Sequence, residues 1–411
     1  MKKIISLILA TTMAATLCAC AGAPAAAPAA DAAPAADASA EKLDLKVGII
    51  CLHDENSTYD LNFINGAKAA CEQLGIEPII KTGIPEGQEC YDAACELADQ
   101  GCGYIFADSF GHEDYMIEAA KEFPDVTFCH ATGTKAHTEN LDNYHNAFAS
   151  IYQGRYLAGI AAGMKLNEMI KDGKITEDEA KIGYVGAYTY AEVISGYTSF
   201  FLGARSVCPS ATMEVTFTGS WYDETAEKEG ANKLIGDGCV LISQHADSMG
   251  APTACETAGV PNVSYNGSTK SACPNTFLVA SRIDWVPFFV ESITKTANKE
   301  AFDKDYTGTL STGSVVLTEL GDSVAEGTAD AIEKAKADLE AGTIHVFDTA
   351  AFTVEGSEVT TYMADVDTDA NYEGDHEVIT DGYFNESGDG FRSAPYFDLQ
   401  IDGITLLDTA F

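Results

Sequence analysis

The sequence is poor in basic residues. Only 24 lysines and arginines stand against 63 aspartates and glutamates, which gives the 411-residue chain a formal net charge of −39. Nucleic acids and anionic membrane surfaces are bound through clusters of positive charge. The composition therefore argues against either of them as a direct binding partner.

Long apolar runs are also absent. The most apolar stretch, from Ile4 to Leu17, is shorter than the roughly 18 residues that a membrane-spanning helix needs. It follows Lys2 and Lys3, and a positive start before a short apolar core is typical of a secretory signal peptide. The sequence thus predicts export without a spanning helix.

The end of this stretch, LCAC (17–20), resembles the bacterial lipobox. In that motif the cysteine receives the lipid and becomes the mature N-terminus, so we expect a lipoprotein signal peptide at 1–20 and lipidation at Cys20. The alternative is a plain secretory signal cut near Ala21. Residues 21–44, rich in alanine and proline, predict a solvated linker. The expected location is the extracytoplasmic face of the cell membrane, where the protein is held by its acyl chains.

Motifs that support catalysis are missing as well. The sequence has no G-x-S-x-G elbow, P-loop, G-x-G-x-x-G or H-E-x-x-H, and no C-x-x-C pair for zinc. The acidic segment 365–377 lacks the glycine and glutamate of an EF-hand and predicts a surface loop. We therefore expect a binding protein without a metal or cofactor, not an enzyme. A hydrolase using His53 and Asp54 is an alternative, although no nucleophile accompanies them.

Strands and helices alternate along the chain in two successive rounds. The first round opens with the apolar run KVGIICL (46–52) and the second with KIGYVGAY (181–188). This alternation predicts an α/β fold with two doubly wound parallel sheets. Ligands of such folds bind beyond the carboxyl ends of the strands and between the two lobes. Residues 343–411 predict short strands and turns, a β-rich extension of the second lobe.

Several stretches also match a known family in order and spacing: 46–70, 104–128, 152–164, 181–188, 219–231 and 282–293. They resemble the basic membrane protein (BMP) family of substrate-binding lipoproteins, which serve ABC importers and include purine nucleoside receptors. The resemblance implies two Rossmann-like lobes joined by hinge strands, a fold like that of type I periplasmic binding proteins. We assign 45–148 and 267–320 to lobe 1, and 149–266 and 321–411 to lobe 2.

The resemblance places a stacking aromatic residue in each lobe. A nucleobase favours an aromatic ring on each face. Tyr59 follows the first strand, Tyr197 lies in the helix after 181–188, and both match positions that hold stacking aromatics in nucleoside-binding relatives. We expect these two tyrosines to clamp the ligand as the lobes close. Alternatively, each is simply a half-buried tyrosine of a helix.

Polar residues at the ends of predicted strands complete the expected site. The candidates for contacting ligand hydroxyl and N–H groups are His53, Asp54, Asn56, Asp60, Asp108, Trp221, Gln244, Asn266 and Arg282. Asp108 could instead cap a helix, and Trp221 could merely cover the helix that it begins. Family members commonly carry an aspartate and a lysine where this chain has Asn266 and Arg282, so its ligand need not be the usual one.

The sequence therefore predicts a lipid-anchored solute-binding protein of an ABC importer. Its expected partners are a small nucleoside-like ligand and the permease subunits, which would recognise the closed form. Two alternatives remain open: a riboflavin or sugar receptor of the same fold, and a ligand-sensing lipoprotein that is not tied to a transporter.

Overall fold

A computed structural model describes residues 43–366, 376–388 and 390–409, which belong to one compact unit. The predicted signal peptide, the proposed lipidation site Cys20 and nearly all of the linker lie outside the described residues, as does most of the acidic segment 365–377. No helix in the described part of the chain combines the length and the apolar character that crossing a bilayer requires.

The described residues form seventeen strands and ten α-helices. The strands are β1 (Val47–Ile50), β2 (Ile79–Lys81), β3 (Tyr104–Ala107), β4 (Thr127–Ala131), β5 (Tyr144–Ala149), β6 (Lys181–Gly186), β7 (Thr212–Phe217), β8 (Leu241–Gln244), β9 (Asn262–Tyr265), β10 (Phe277–Ile283), β11 (Asp305–Gly308), β12 (Val315–Leu317), β13 (Met363–Ala364), β14 (His376–Glu377), β15 (Ile379–Thr380), β16 (Tyr383–Phe384) and β17 (Ile404–Leu406). The helices are α1 (Thr58–Gln73), α2 (Gln88–Asp99), α3 (Glu113–Glu122), α4 (Ala136–Glu139), α5 (Ile151–Lys171), α6 (Ala191–Val207), α7 (Glu224–Gly236), α8 (Gly250–Ala258), α9 (Val286–Asn298) and α10 (Thr328–Glu340).

Two predominantly parallel sheets organise the chain, as predicted. The first sheet has the strand order β11-β5-β4-β3-β1-β2, and the second has the order β12-β10-β9-β8-β6-β7-β17. Only β12 runs antiparallel to its neighbour within these two sheets. β1 is buried along its whole length, as expected of a strand covered by helices on both faces. We call each sheet with its helices the first or the second half.

The chain divides between the halves differently from the prediction. β10 pairs with β9, and β12 pairs with β10, so both strands belong to the second sheet. The assignment of 267–320 to lobe 1 is therefore wrong for these two strands, although β11 does pair with β5 in the first sheet. The cause is α9, which packs on the first half: Trp285 at its start stacks on Phe63 of α1 with ring centroids 4.3 Å apart. Along the chain, a helix that packs on the first half therefore lies between two strands of the second sheet.

Glycines bring α5 and α6 into close contact. A Cβ atom on Gly159 would lie 2.0 Å from the carbonyl oxygen of Phe200, and one on Gly203 would lie 2.0 Å from that of Tyr156. Only glycine fits at these two positions, because any side chain would push the helices apart. α5 begins immediately after β5, so this packing fixes the segment at which the chain passes into the second half.

The C-terminal extension contacts both halves. It contains little regular structure, and β17 continues the second sheet by pairing with β7. Ser393 donates from its backbone N and its Oγ to Oδ1 of Asp305 in β11, both at 2.8 Å. The Oγ atoms of Ser387 and Ser150 lie 2.8 Å apart. The prediction that this segment belongs to lobe 2 alone is therefore incomplete.

Candidate ligand-binding site

A cavity lies between the two halves, with about 360 Å³ of empty space that includes space open to solvent. It adjoins the carboxyl ends of strands from both sheets, which is where parallel sheets bind ligands. The lining residues are Leu52, His53, Tyr59, Asp60, Ser109, Phe110 and Thr132 from the first half and Glu192, Trp221, His245, Asp247 and Asn266 from the second.

Tyr59 lines the cavity as predicted, and its ring is held from both ends. It is the second residue of α1, which Ser57 caps by accepting a hydrogen bond from the backbone N of Asp60. Its hydroxyl donates to the backbone oxygen of Asp108 at 2.7 Å, and its ring packs edge-on against Phe63. This side chain is therefore oriented before any ligand arrives.

Tyr197 does not line the cavity, so the predicted clamp of Tyr59 and Tyr197 is wrong. Tyr197 is fully buried, and its hydroxyl donates to Oε1 of Gln400 in the extension at 3.0 Å. It lies almost two turns into α6, and that face of the helix is covered by the extension, which the family resemblance does not include. The position in α6 that corresponds to Tyr59 in α1 is the second, Glu192, which does line the cavity.

Phe110 and Trp221 supply aromatic surface to the cavity from opposite halves. Phe110 stacks on Tyr190 with ring centroids 5.1 Å apart. Tyr188 stacks on Tyr190 at 5.2 Å and meets Trp221 edge-on at 5.0 Å. These four residues form one aromatic cluster beside the cavity. Trp221 was a predicted site residue, whereas Phe110 was not.

Asp60 is a predicted site residue that the structure places at the cavity as a carboxylate. Its Oδ1 accepts from the backbone N of His53 at 2.7 Å, and its Oδ2 accepts from Oγ of Ser57 at 2.6 Å. Burial acts to raise the pKa of Asp60, but the hydrogen bonds from His53 and Ser57 outweigh it, so the net pKa is lowered. His53 also lines the cavity as predicted, with Nδ1 3.4 Å from Oδ2 of Asp60.

Asp108 lies behind the cavity rather than in its wall. Its Oδ1 accepts from the backbone N of Leu52 at 3.1 Å, and its Oδ2 has no hydrogen-bond partner among the described residues. Burial, with the charge of Asp60 nearby, raises the pKa of Asp108 well above its usual range. Ligand atoms of Cys51, Asp60 and Asp108 lie within 4.8 Å of one another, and these three groups are one fewer than the four protein ligands of a structural zinc site.

Asn266 lines the cavity as predicted and helps to join the halves. It follows β9 with φ 64°, a left-handed conformation that asparagine adopts more readily than most residues. Its Nδ2 donates to Oδ1 of Asp247 at 3.1 Å. The backbone oxygen of Asp247 accepts from Thr58 of the first half, from N at 2.9 Å and from Oγ1 at 3.1 Å. Burial, followed by the charges of Asp60 and Glu227, raises the pKa of Asp247 well above its usual range.

Asp54 and Asn56 do not line the cavity, contrary to the prediction. Both are exposed, and the backbone N and Nδ2 of Asn56 both donate to Oδ1 of Asp54. Their side chains stabilise a local turn, as aspartate and asparagine often do. The hydrolase alternative loses its support, because Asp54 is bonded to Asn56 and not to His53.

Gln244 and Arg282 also lie outside this cavity. Gln244 ends β8 with its side chain turned into the sheet, where Oε1 accepts from Nδ2 of Asn262 at 2.9 Å. Arg282 lines a separate, more open cavity beside α1, with Nη2 3.4 Å from Oδ2 of Asp284. Both residues lie in or at the end of strands, where side chains alternate in direction, so sequence position alone could not tell which way they point.

Seven lining residues were not predicted. Six of them follow a strand by one to three positions, as His53 does, so the strand-end rule could have found them: Leu52, Ser109, Phe110, Thr132, His245 and Asp247. The seventh, Glu192, lies at the start of the helix that follows β6. A systematic search of strand ends and helix starts would thus have recovered most of the wall.

The fold and the cavity define a two-lobed solute-binding protein. Residues 52–349 match the model of the Bmp family, described as "ABC transporter substrate-binding protein PnrA-like", and the chain belongs to this family. The sequence-based recognition is therefore confirmed. The matched region ends before most of the C-terminal extension.

The names of this chain's relatives mention more than one kind of ligand. It is 33% identical over 255 residues to TsgA13 of Haloferax volcanii, named as an ABC transporter glucose-binding protein, with 62% of this chain and 61% of that protein covered. It is 33% identical over 252 residues to the purine-binding protein BAB2_0673 of Brucella abortus, with 60% and 67% covered. The chain thus spans three fifths to two thirds of the length of these relatives.

A solved structure supports the fold. An ABC transporter solute-binding protein from Conexibacter woesei superimposes with a TM-score of 0.60 at 19% identity, covering 73% of this chain and 98% of that one. At this level of identity the likeness concerns the fold alone, and it agrees with the predicted arrangement of two lobes with parallel sheets.

Proposed function

We propose that this protein is the extracytoplasmic receptor of an ABC importer and that it takes a purine nucleoside into the cavity between its halves. The observation that carries the proposal is the composition of that cavity. It combines aromatic rings from both halves with three carboxyl groups, those of Asp60, Glu192 and Asp247.

The chemistry of a nucleoside suits this wall. Phe110 and Trp221 offer aromatic faces for the base, and stacking contributes about 1–3 kcal/mol per base. Carboxylates accept hydrogen bonds from ribose hydroxyls and base N–H groups. Among the described residues that line the cavity, none is a lysine or an arginine, so a nucleotide phosphate would lack a cationic partner. A neutral nucleoside is therefore favoured over its phosphorylated form.

Contacts between the halves provide a mechanism for signalling that the site is full. The hydrogen bonds from Thr58 to Asp247 and the stacking of Phe110 on Tyr190 both require the halves to lie together. A ligand that contacts both walls stabilises this closed form relative to an open one. The permease would then bind the closed form, and acyl chains on Cys20 would keep the receptor beside it.

A hydroxyl-rich sugar is the second candidate. Carboxylates beside an aromatic ring also suit a sugar, and TsgA13 is as similar to this chain as the purine-binding relative is. Calorimetric titration of the purified protein with guanosine, inosine, adenosine, guanosine monophosphate and glucose separates the candidates. We expect heat of binding with at least one nucleoside and none with the nucleotide or glucose. Heat with glucose alone would establish the sugar receptor, and no heat with any nucleoside would overturn the present proposal.

A further inference from the structure

His245 presents one ring nitrogen to the cavity and the other to the protein interior. It follows β8 and is buried. Its Nε2 lies 3.5 Å from Oε1 of Glu192, and both residues line the cavity. Its Nδ1 lies 3.4 Å from the hydroxyl of Tyr184. The proton of the neutral ring can reside on either nitrogen, and these neighbours decide which one carries it.

A buried arginine fixes the hydrogen bonds of Tyr184. Nη2 of Arg155 donates to the Tyr184 oxygen and to the backbone oxygen of Gln244, and the guanidinium lies 4.3 Å above the ring of Tyr265. Burial lowers the pKa of Arg155 to about 10, so it is still charged at neutral pH. Because a guanidinium only donates, the Tyr184 oxygen accepts, and its own proton is directed to Nδ1 of His245.

Both neighbours of His245 select the same tautomer. With Nδ1 accepting from Tyr184, the ring proton lies on Nε2, where it faces the carboxylate of Glu192. The other tautomer would set a lone pair of Nε2 against that carboxylate. Burial lowers the pKa of His245, as does the charge of Arg155, while Glu192 opposes the shift without reversing it. The ring is therefore neutral, with a fixed donor on the cavity side.

We propose that His245 and Glu192 together recognise the polar edge of the ligand by hydrogen bonding. Arg155 and Tyr184 are positioning residues that fix which ring nitrogen of His245 donates and which accepts. This inference rests on the proposed function and narrows it to 6-oxopurine nucleosides. The 6-carbonyl accepts from Nε2–H of His245, and the adjacent N1–H donates to Glu192. Guanosine fits better than inosine, because its 2-amino group offers the same carboxylate a second hydrogen bond.

Two measurements test the inference. The first is ¹⁵N NMR of the ligand-free protein labelled at histidine, which reports the tautomer of each ring. We expect His245 as the neutral Nε2–H form, and we expect Tyr184→Phe to weaken this preference while the protein remains folded, because Glu192 alone then selects the tautomer. An Nδ1–H tautomer in the wild-type protein would overturn the inference. A purely structural role for Tyr184 would leave the tautomer unchanged.

The second measurement compares guanosine with 1-methylguanosine, which lacks the N1–H. Wild-type protein should prefer guanosine, and Glu192→Gln should lose about tenfold or more in affinity for guanosine but far less for the methylated ligand, because only guanosine donates from N1 to the carboxylate. Glu229→Gln, at an exposed glutamate outside the cavity, is the matched control. If wild-type protein binds no purine nucleoside, the proposed function fails and this inference with it. If it binds nucleosides but Glu192→Gln keeps the wild-type preference, the inference alone fails.

Discussion

Phe110 and Tyr190 belong to opposite halves, yet their rings stack with centroids 5.1 Å apart and planes inclined by 27°. Both side chains are substantially exposed, at 38% and 40%, so the contact lies at the surface and not in a core. Stacking of this kind contributes about 0.5–1.5 kcal/mol beyond the area it buries. Separation of the halves breaks this contact, so the stacking energy stabilises the closed form relative to an open one.

Tyr190→Ala should weaken ligand binding without removing a contact to the ligand, because Tyr190 does not line the cavity. We expect a loss of affinity of severalfold, corresponding to about 1 kcal/mol of closure energy. Small-angle scattering of the ligand-free variant should also report a larger radius of gyration. Met363→Ala, at another exposed apolar side chain, is the control. Unchanged scattering together with unchanged affinity would show that the stack does not bias closure.

Trp221→Ala should weaken nucleoside binding by about 5- to 150-fold, since stacking on a base is worth about 1–3 kcal/mol. Tyr197→Phe is the matched comparison, because it removes only the hydroxyl that donates to Gln400. We expect that variant to bind like the wild-type protein in calorimetric titration. Wild-type affinity in Trp221→Ala would show that Trp221 does not stack on the ligand.

The two sheets could be predicted from local sequence patterns. The buried strands are short apolar runs such as VGII of β1, and the helices between them carry apolar faces. The division into halves was less accessible, because β10 and β12 join the second sheet while α9 between them packs on the first. Packing partners of a helix depend on the whole fold, which local sequence does not report.

Only part of the candidate site could be predicted from the sequence. The ends of parallel strands meet at one edge of a sheet, and this rule led to His53, Asp60 and Asn266, while the family resemblance led to Tyr59; all four line the cavity. It failed at Asp54, which forms a local turn, and it says nothing about Tyr197, a residue within a helix. The face that Tyr197 occupies is covered by the extension, and the sequence offered no signal for that packing.

Cys20→Ser should release the protein from the membrane. Cys20 lies outside the described residues, so this prediction rests on the lipobox and on the cost of removing acyl chains from a bilayer, about 0.8 kcal/mol per buried methylene. We expect the wild-type protein to incorporate radiolabelled palmitate and to sediment with membranes. The variant should lose the label and appear in the soluble extracytoplasmic fraction. A variant that stays with the membrane would point to another anchor.

Glu386 makes the attachment of the extension to the second half dependent on pH. Its Oε2 accepts from Oγ of Ser195 at 2.5 Å, and its Oε1 accepts from the backbone N of Phe397 at 2.7 Å. Burial raises its pKa from 4.5 to about 7, although these hydrogen bonds oppose the shift. A raised folded-state pKa means that the folded protein holds this proton more tightly than the unfolded chain does. The stability it contributes is full below pH 4.5 and is lost as the pH rises to about 7.

Glu386→Gln should abolish this loss, because glutamine carries no charge and keeps one oxygen that can accept from the backbone N of Phe397. Urea unfolding between pH 4.5 and about pH 8 should show the variant gaining stability relative to the wild-type protein, by about 3 kcal/mol at the upper end at ~1.4 kcal/mol per pKa unit. Glu229→Gln, at an exposed site, should show no such trend. A difference between Glu386→Gln and wild type that does not change with pH would mean that Glu386 is ionised in the folded protein, so that burial does not hold its proton.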